Sequence, residues 1–165
     1  MTIEMFVKLF NANKKTKNFE EFLNKHITTE YIPFIQKDAI CASIIEATSF
    51  VKDGDKKIFK SNSTARFILY TMKMIELYTD IDVNAEKFAD DYDELNKIGA
   101  IGALFNAIPE AERAEFETIL NMKLDDFHEN EYSLTALLYG LKESFSLSEE
   151  VISKAIEEIA KQEQK

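Results

Sequence analysis

Residues that interrupt helices or cross-link chains are scarce in this sequence. Its 165 residues include 4 glycines, 2 prolines, a single cysteine and no tryptophan. So few glycines and prolines exclude a fold of many short strands joined by tight turns, and favour long helices. One thiol cannot form an intrachain disulfide, which points to a reducing compartment. No apolar run approaches the roughly 20 residues of a membrane span. The opening stretch MTIEMFVKLF carries an acid at Glu4 and no basic cluster ahead of an apolar segment, unlike a signal peptide. The expected location is therefore cytoplasmic. Basic residues are also in deficit: 20 Lys and Arg face 30 Asp and Glu, a net charge of −10. That balance argues against direct binding to nucleic acid or anionic membranes.

What is abundant is bulky apolar material. Hydrophobic residues make up 45% of the chain, with 13 Phe and 6 Tyr, enough for a domain of this length to bury about two-thirds of its unfolded surface. Apolar residues recur at the helical spacing of three and four almost throughout. Thr2 can cap a helix bearing Ile3, Phe6, Val7 and Phe10, which the polar stretch Asn11–Asn18 then breaks. Asn18 and Glu21 have the spacing of a capping box for a short helix with Phe19, Phe22 and Leu23. Pro33 suits the first turn of a helix reaching Ser49. That helix is apolar on more than one side and is expected to be central. Asp53-Gly54, between two short apolar runs, fits either a hairpin at about residues 50–59 or an exposed loop, and it is the one place where strand is expected. Ser61–Thr64 is a capping cluster for a second core helix, Ala65–Tyr78.

Asp82 or Asn84 can cap a helix with Phe88, Tyr92, Leu95 and Ile98, and Gly99 can end it. A short apolar helix, Ile101–Ile108, leads to Pro109. There a long surface helix with Phe116, Ile119, Leu120, Leu124 and Phe127 begins, and Asn130 marks its break. Leu134, Leu137, Leu138, Leu141 and Phe145 form the next stripe, and Ser146 with Glu149 opens a last one. The reading is an all-α, orthogonal or irregular bundle of about seven to nine helices with one small hairpin. Residues 1–145 form a helical core domain. Residues 146–165 form a C-terminal helix whose stripe, Val151, Ile152, Ile156 and Ile159, must meet the domain, a second copy or a partner, because such a helix is marginal alone.

Charge is unevenly spread. Residues 1–60 hold ten lysines and eight acids, whereas residues 76–131 hold sixteen acids and four bases. One reading is an acidic face, with Asp90, Asp91, Asp93 and Glu94 at its centre, that docks a basic partner or imitates a row of phosphates. The plainer reading is a set of solvated helix faces. Glu110, Glu112, Glu115 and Glu117 also lie near a helix start, where negative charge is favoured anyway.

Catalytic patterns are sparse. Asp80, Asp82 and Asn84 alternate like the opening of a calcium loop, but its sixth and twelfth positions are Ala85 and Asp91 in place of Gly and Glu. Asp125 and His128, three residues apart, could share a helix face, and with Asp126 they would be the first residues to test in a metal-dependent enzyme. A di-metal bundle needs two Glu-x-x-His pairs, and the other histidine, His26, has Leu23 three residues before it. Cys41 lies among apolar neighbours and reads as a buried small side chain. Gly99 and Gly102 make no phosphate loop. No cofactor, metal or small-molecule substrate is expected.

Four segments, Leu77–Asp82, Phe116–Met122, Leu124–Asp126 and Asn130–Glu131, resemble parts of small uncharacterised helical proteins of tailed bacteriophages of Gram-positive hosts. The resemblance spans residues 3–140 and falls off after Phe145. It implies a phage or prophage origin and a place among virion assembly genes, and it brings no active site to carry over. The functional expectation is a non-enzymatic protein–protein interaction module, by self-association or with a protein partner. A connector component or a tail assembly chaperone, cytoplasmic or virion-associated, fits it. The alternative is an acidic inhibitor of a host nucleic-acid-binding or defence protein.

Overall fold

The computed structural model describes residues 1–53, 56–59 and 61–132. It is an all-α bundle with one hairpin. In chain order the elements are α1 (Ile3–Asn13), α2 (Phe19–His26), α3 (Phe34–Ser49), β1 (Phe50–Asp53), β2 (Lys56–Phe59) and α4 (Ser63–Tyr78). A 3-10 turn (Ala85–Lys87), α5 (Phe88–Lys97), α6 (Ala100–Ala107) and α7 (Glu110–Tyr132) follow. The strands pair antiparallel with Phe50 opposite Phe59. The chain divides into a unit over Met1–Leu120 and a second over Asn121–Lys165; the described part of the second is the end of α7. The stripe from Leu134, the C-terminal helix with Val151, Ile152, Ile156 and Ile159, and the boundary expected at residue 145 lie outside the described residues.

Helix ends mostly follow from side chains that satisfy backbone groups left over by the helical ladder. The hydroxyl of Thr2 accepts from the N–H of Met5, and Asn62 accepts from Ala65 at 2.9 Å. Asn84, rather than Asp82, does the capping near residue 85, accepting from Glu86 at 2.9 Å. Gly99 closes α5 with φ of +79°, a left-handed conformation that a Cβ would strain.

Three expectations about helix ends are corrected. Asn18 makes no capping bond, because its backbone (φ −100°, ψ 22°) is not the extended cap conformation. Glu21 pairs with Lys25 at 2.9 Å instead. Asn130 does not break α7, which runs on to Tyr132: one Asn costs a helix only a few tenths of a kcal/mol, roughly, and neither Gly nor Pro accompanies it. Likewise α1 continues through Asn11–Asn13, where Asn13 turns its amide back onto the Leu9 carbonyl at 2.8 Å.

The middle layer is α4, which packs on α3, α5 and α6. One apolar core joins Ile3, Phe6 and Phe10 of α1 to Met72 and Ile75 of α4, Leu95 of α5 and Leu104 of α6. Burying each of these side chains is worth roughly 1.5–3 kcal/mol. Between α4 and the 3-10 turn the chain is extended. It bridges antiparallel from Thr79 to Ile27 and parallel from Asp82 to Thr2, so strand pairing is not confined to the hairpin. Ile81 and Val83 are buried there while Asp80, Asp82 and Asn84 face out. The alternation of oxygen-bearing residues is the period of a strand, not a calcium loop.

The expectation for α3 holds only in part. Its inner face, Cys41, Ile44, Ile45 and Thr48, is buried, but Phe34 and Ile35 are more than half exposed. Tyr70 of α4 is buried beside the ring of Phe105, and among the described residues its hydroxyl has no hydrogen-bond partner. A buried unsatisfied polar atom costs about 1–3 kcal/mol. Tyr70→Phe should therefore stabilise the protein by about 1 kcal/mol, read as a higher urea midpoint at unchanged slope. A lower midpoint would mean that the hydroxyl has a partner in solution.

Candidate functional site

Two places gather charged side chains in unusual surroundings. The first is closed. Lys37, on the inner face of α3, is fully buried. Its ammonium donates to Glu112 Oε1 at 2.8 Å and to the Glu115 carboxylate, both on α7. The other oxygen of Glu112 accepts from the Ile32 N–H at 3.0 Å and from the Tyr78 hydroxyl. The rings of Tyr31 and Phe116 lie over the ammonium at 5.2 and 5.7 Å, within cation–π range.

Burial alone pulls the Lys37 pKa down, but hydrogen bonds to Glu112 and Glu115 and their charges outweigh it and leave it above the ordinary lysine value. Burial likewise pushes Glu112 up, and its bonds from Lys37, Tyr78 and Ile32 reverse that and hold it low. Tyr78 is raised by burial and by its bond to Glu112. Perturbed groups often mark active sites, yet here every group is engaged and the lysine has no surface. The cluster joins α3, α4, α7 and the segment before α3. This corrects the reading of Glu112 as a solvated first-turn acid. Lys37 was not foreseen, although it sits one turn before Cys41 on the inner face.

The second place is open. The start of α1, the extended segment and the first turns of α5 enclose a cleft of about 710 Å³. Glu4, Asp82, Asp90, Asp91 and Glu94 line it, with Lys87 as the lining base. Glu4, Asp90 and Asp91 occupy first turns of helices, where the dipole favours an acid. Asp82 and Glu94 have no such reason to be there. Asp91 accepts from the Asn84 N–H at 3.3 Å, which ties the 3-10 turn to α5. Among the described residues none of the five carboxylates is in an ion pair. Uncompensated negative charge in a concave site focuses the field and attracts cations.

The expected partner-binding acids are thus brought together in part. Asp90, Asp91 and Glu94 share the cleft, and Asp93 is exposed outside it. Glu4 and Asp82 join them from elsewhere in the chain, which no local spacing could show. The remaining expected partner residues, Val151, Ile152, Ile156 and Ile159, lie outside the described residues. Asp125, Asp126 and His128 are exposed on α7, and no group of three His, Cys, Asp or Glu among the described residues could hold a metal. Asp80 bonds His26 Nδ1 at 3.0 Å, and Cys41 is buried against the Phe116 carbonyl. No helix among the described residues is long and apolar enough to cross a membrane.

The buried cluster should behave as one unit. Lys37→Met leaves Glu112 buried without its cation and should cost about 3–5 kcal/mol. The double variant Lys37→Met/Glu112→Gln should be less destabilised than that single variant, because an amide still accepts a hydrogen bond and no buried charge is stranded. The sign with pH follows from the shifts. Glu112 is held below 4.5, so its contribution is complete above pH 4.5 and is lost as pH falls through its lowered value. Lys37 is held above 10.5, so its contribution is complete below pH 10.5 and is lost as pH rises through its raised value. Urea midpoints across pH check both limbs. A single variant as stable as the parent, or a double variant with the parent's full acid limb, would refute the assignment. No protein-family model, curated protein or solved structure matches this chain.

Proposed function

We propose that this chain is a non-enzymatic protein–protein interaction module that takes a basic segment of a protein partner into its acidic cleft. One observation carries the reading: five carboxylates from α1, the extended segment and α5 meet in one open cleft, and among the described residues none of them is in an ion pair. Like charges held together in this way raise the energy of the free protein, and a cationic partner lowers it. The resemblance to small phage proteins supplies the setting, a structural or assembly protein of a virion.

The same acids suit the inhibitor reading less well. Duplex DNA carries a charge about every 1.7 Å along its axis, so an imitation needs acids in an extended row. Here they converge on one concavity. Other acids of the same region are engaged elsewhere: Glu112 and Glu115 hold Lys37, Glu76 pairs with Lys73, and Asp80 bonds His26.

The test is binding of a fluorescent oligolysine peptide, followed by anisotropy at low and high salt. Exposed ion pairs are worth about 0.2–1 kcal/mol each. Neutralising Asp82, Asp90 and Glu94 together (Asp82→Asn, Asp90→Asn, Glu94→Gln) should therefore weaken binding about tenfold at low salt. The difference should shrink as salt screens it. A matched loss of charge elsewhere, Glu117→Gln with Asp125→Asn and Asp126→Asn, should leave most of the affinity intact. Equal losses from both triple variants would mean that the peptide reads net charge and not the cleft.

A further inference from the structure

Resting on that reading of the cleft, we infer that the basic segment it takes is the Lys14–Lys17 loop of a second copy of this chain, so that copies join head to tail. The loop connects α1 to α2. From Met5 to Phe19 the sequence holds four lysines and no acid, and Lys8, Lys14, Lys15 and Lys17 are all exposed. Three lysines within four residues form the charge complement of a cleft lined by five carboxylates and one lysine.

The two surfaces lie at opposite ends of one helix. Glu4 stands in the first turn of α1, and Lys14 directly follows its last residue. Ten residues along the helix axis separate them by about 15 Å. A helix of that length is rigid, so a copy cannot fold its own loop back into its own cleft. The complementary charges can meet only between molecules. Because the two surfaces differ, the contact is heterologous, and its geometry permits a ring or an open chain.

The loop is also shaped before it docks. The Lys14 N–H bonds the Phe10 carbonyl at 2.8 Å. Both the N–H and the hydroxyl of Thr16 bond the Asn13 carbonyl, each at 2.8 Å. Ordering such a turn on docking costs less than ordering a free tail. Among the described residues the Lys14 ammonium bonds the neutral side chain of Asn11, at 2.7 Å, a bond that a carboxylate can replace.

The experiment is light scattering on the full chain over a range of concentrations, at low and high salt. The variants are a loop-neutral form (Lys14→Gln, Lys15→Gln, Lys17→Gln) and a cleft-neutral form (Asp82→Asn, Asp90→Asn, Glu94→Gln). All six side chains are exposed, and circular dichroism confirms that the variants fold. The parent should exceed its monomer mass of 19.0 kDa at low salt and return to it at high salt. Each variant alone should stay monomeric. Their equimolar mixture should form a dimer of twice that mass and nothing larger, because one intact loop and one intact cleft remain. A parent that is monomeric at every concentration, variants that still associate, or a mixture that stays monomeric would each overturn head-to-tail pairing. If the parent is monomeric while oligolysine still binds through the cleft, the second copy is the wrong partner and the docking reading survives. If neutralising the cleft leaves oligolysine binding unchanged, the docking reading itself fails.

Discussion

A lysine with no surface sits at the point where three helices meet, and much of the bundle is arranged around keeping it charged. Burying an ammonium without partners costs several kcal/mol, roughly, so Lys37 fixes where its neighbours can be. Glu112 and Glu115 must face it from successive turns of α7. The second oxygen of Glu112 then has to be satisfied as well, and Tyr78 of α4 and the Ile32 N–H supply the donors. Apolar packing alone would tolerate a slip. A shift of α7 by one turn, about 5.4 Å, could still press Phe116 or Leu120 against α3. It would leave Lys37 and Glu112 stranded in the interior. The network therefore selects one register among several that hydrophobic burial permits, a use of buried charge more secure than any net gain in stability.

That selection was written in the sequence, although not in the place where charged residues are usually read. Lys37 is followed at four, seven and eight residues by Cys41, Ile44 and Ile45. Glu112 is followed at the same intervals by Phe116, Ile119 and Leu120. Both charges occupy the apolar phase of their helices, and all eight residues are buried. A charge in the phase of the stripe, matched by an opposite charge in the same phase of another helix, was the available signal. Counting Glu112 among the first-turn acids hid it, because helix-dipole reasoning already explained its presence.

Other features divide along the same line between local and long-range causes. The helices whose apolar residues keep one phase, such as α1 with Ile3, Phe6 and Phe10, were legible, as were the caps at Thr2, Asn62 and Asn84 and the left-handed Gly99. Each depends on neighbours within one turn. The segment Asp80–Asn84 was ambiguous because its alternation satisfies two different geometries, a cation loop, which Ala85 and Asp91 already argue against, and a strand. Only the pairing of Thr2 with Asp82 and of Ile27 with Thr79 decides between them. The cleft was half legible for the same reason. Asp90, Asp91 and Glu94 are close in sequence, whereas Glu4 and Asp82 arrive through that parallel bridge.

The bridge also gives the acidic end of the molecule its definition. The carbonyl of Met1 accepts from the Asp82 N–H at 2.7 Å, which locks the start of α1 beside the extended segment. Ile3, Ile81 and Val83 pack beneath in the common core, so the outward acids between them cannot turn in to find partners. Acids with an internal task, Glu112 and Glu115, lie on α7. Those of α1, the extended segment and the first turns of α5 are held outward by the very contacts that build the core. Relieving their mutual repulsion by moving apart would mean opening the α1–α5 packing, in which Phe6 and Leu95 have no exposed surface. The fold therefore holds these five carboxylates in a fixed, concave place, with Lys87 as the base among the lining residues.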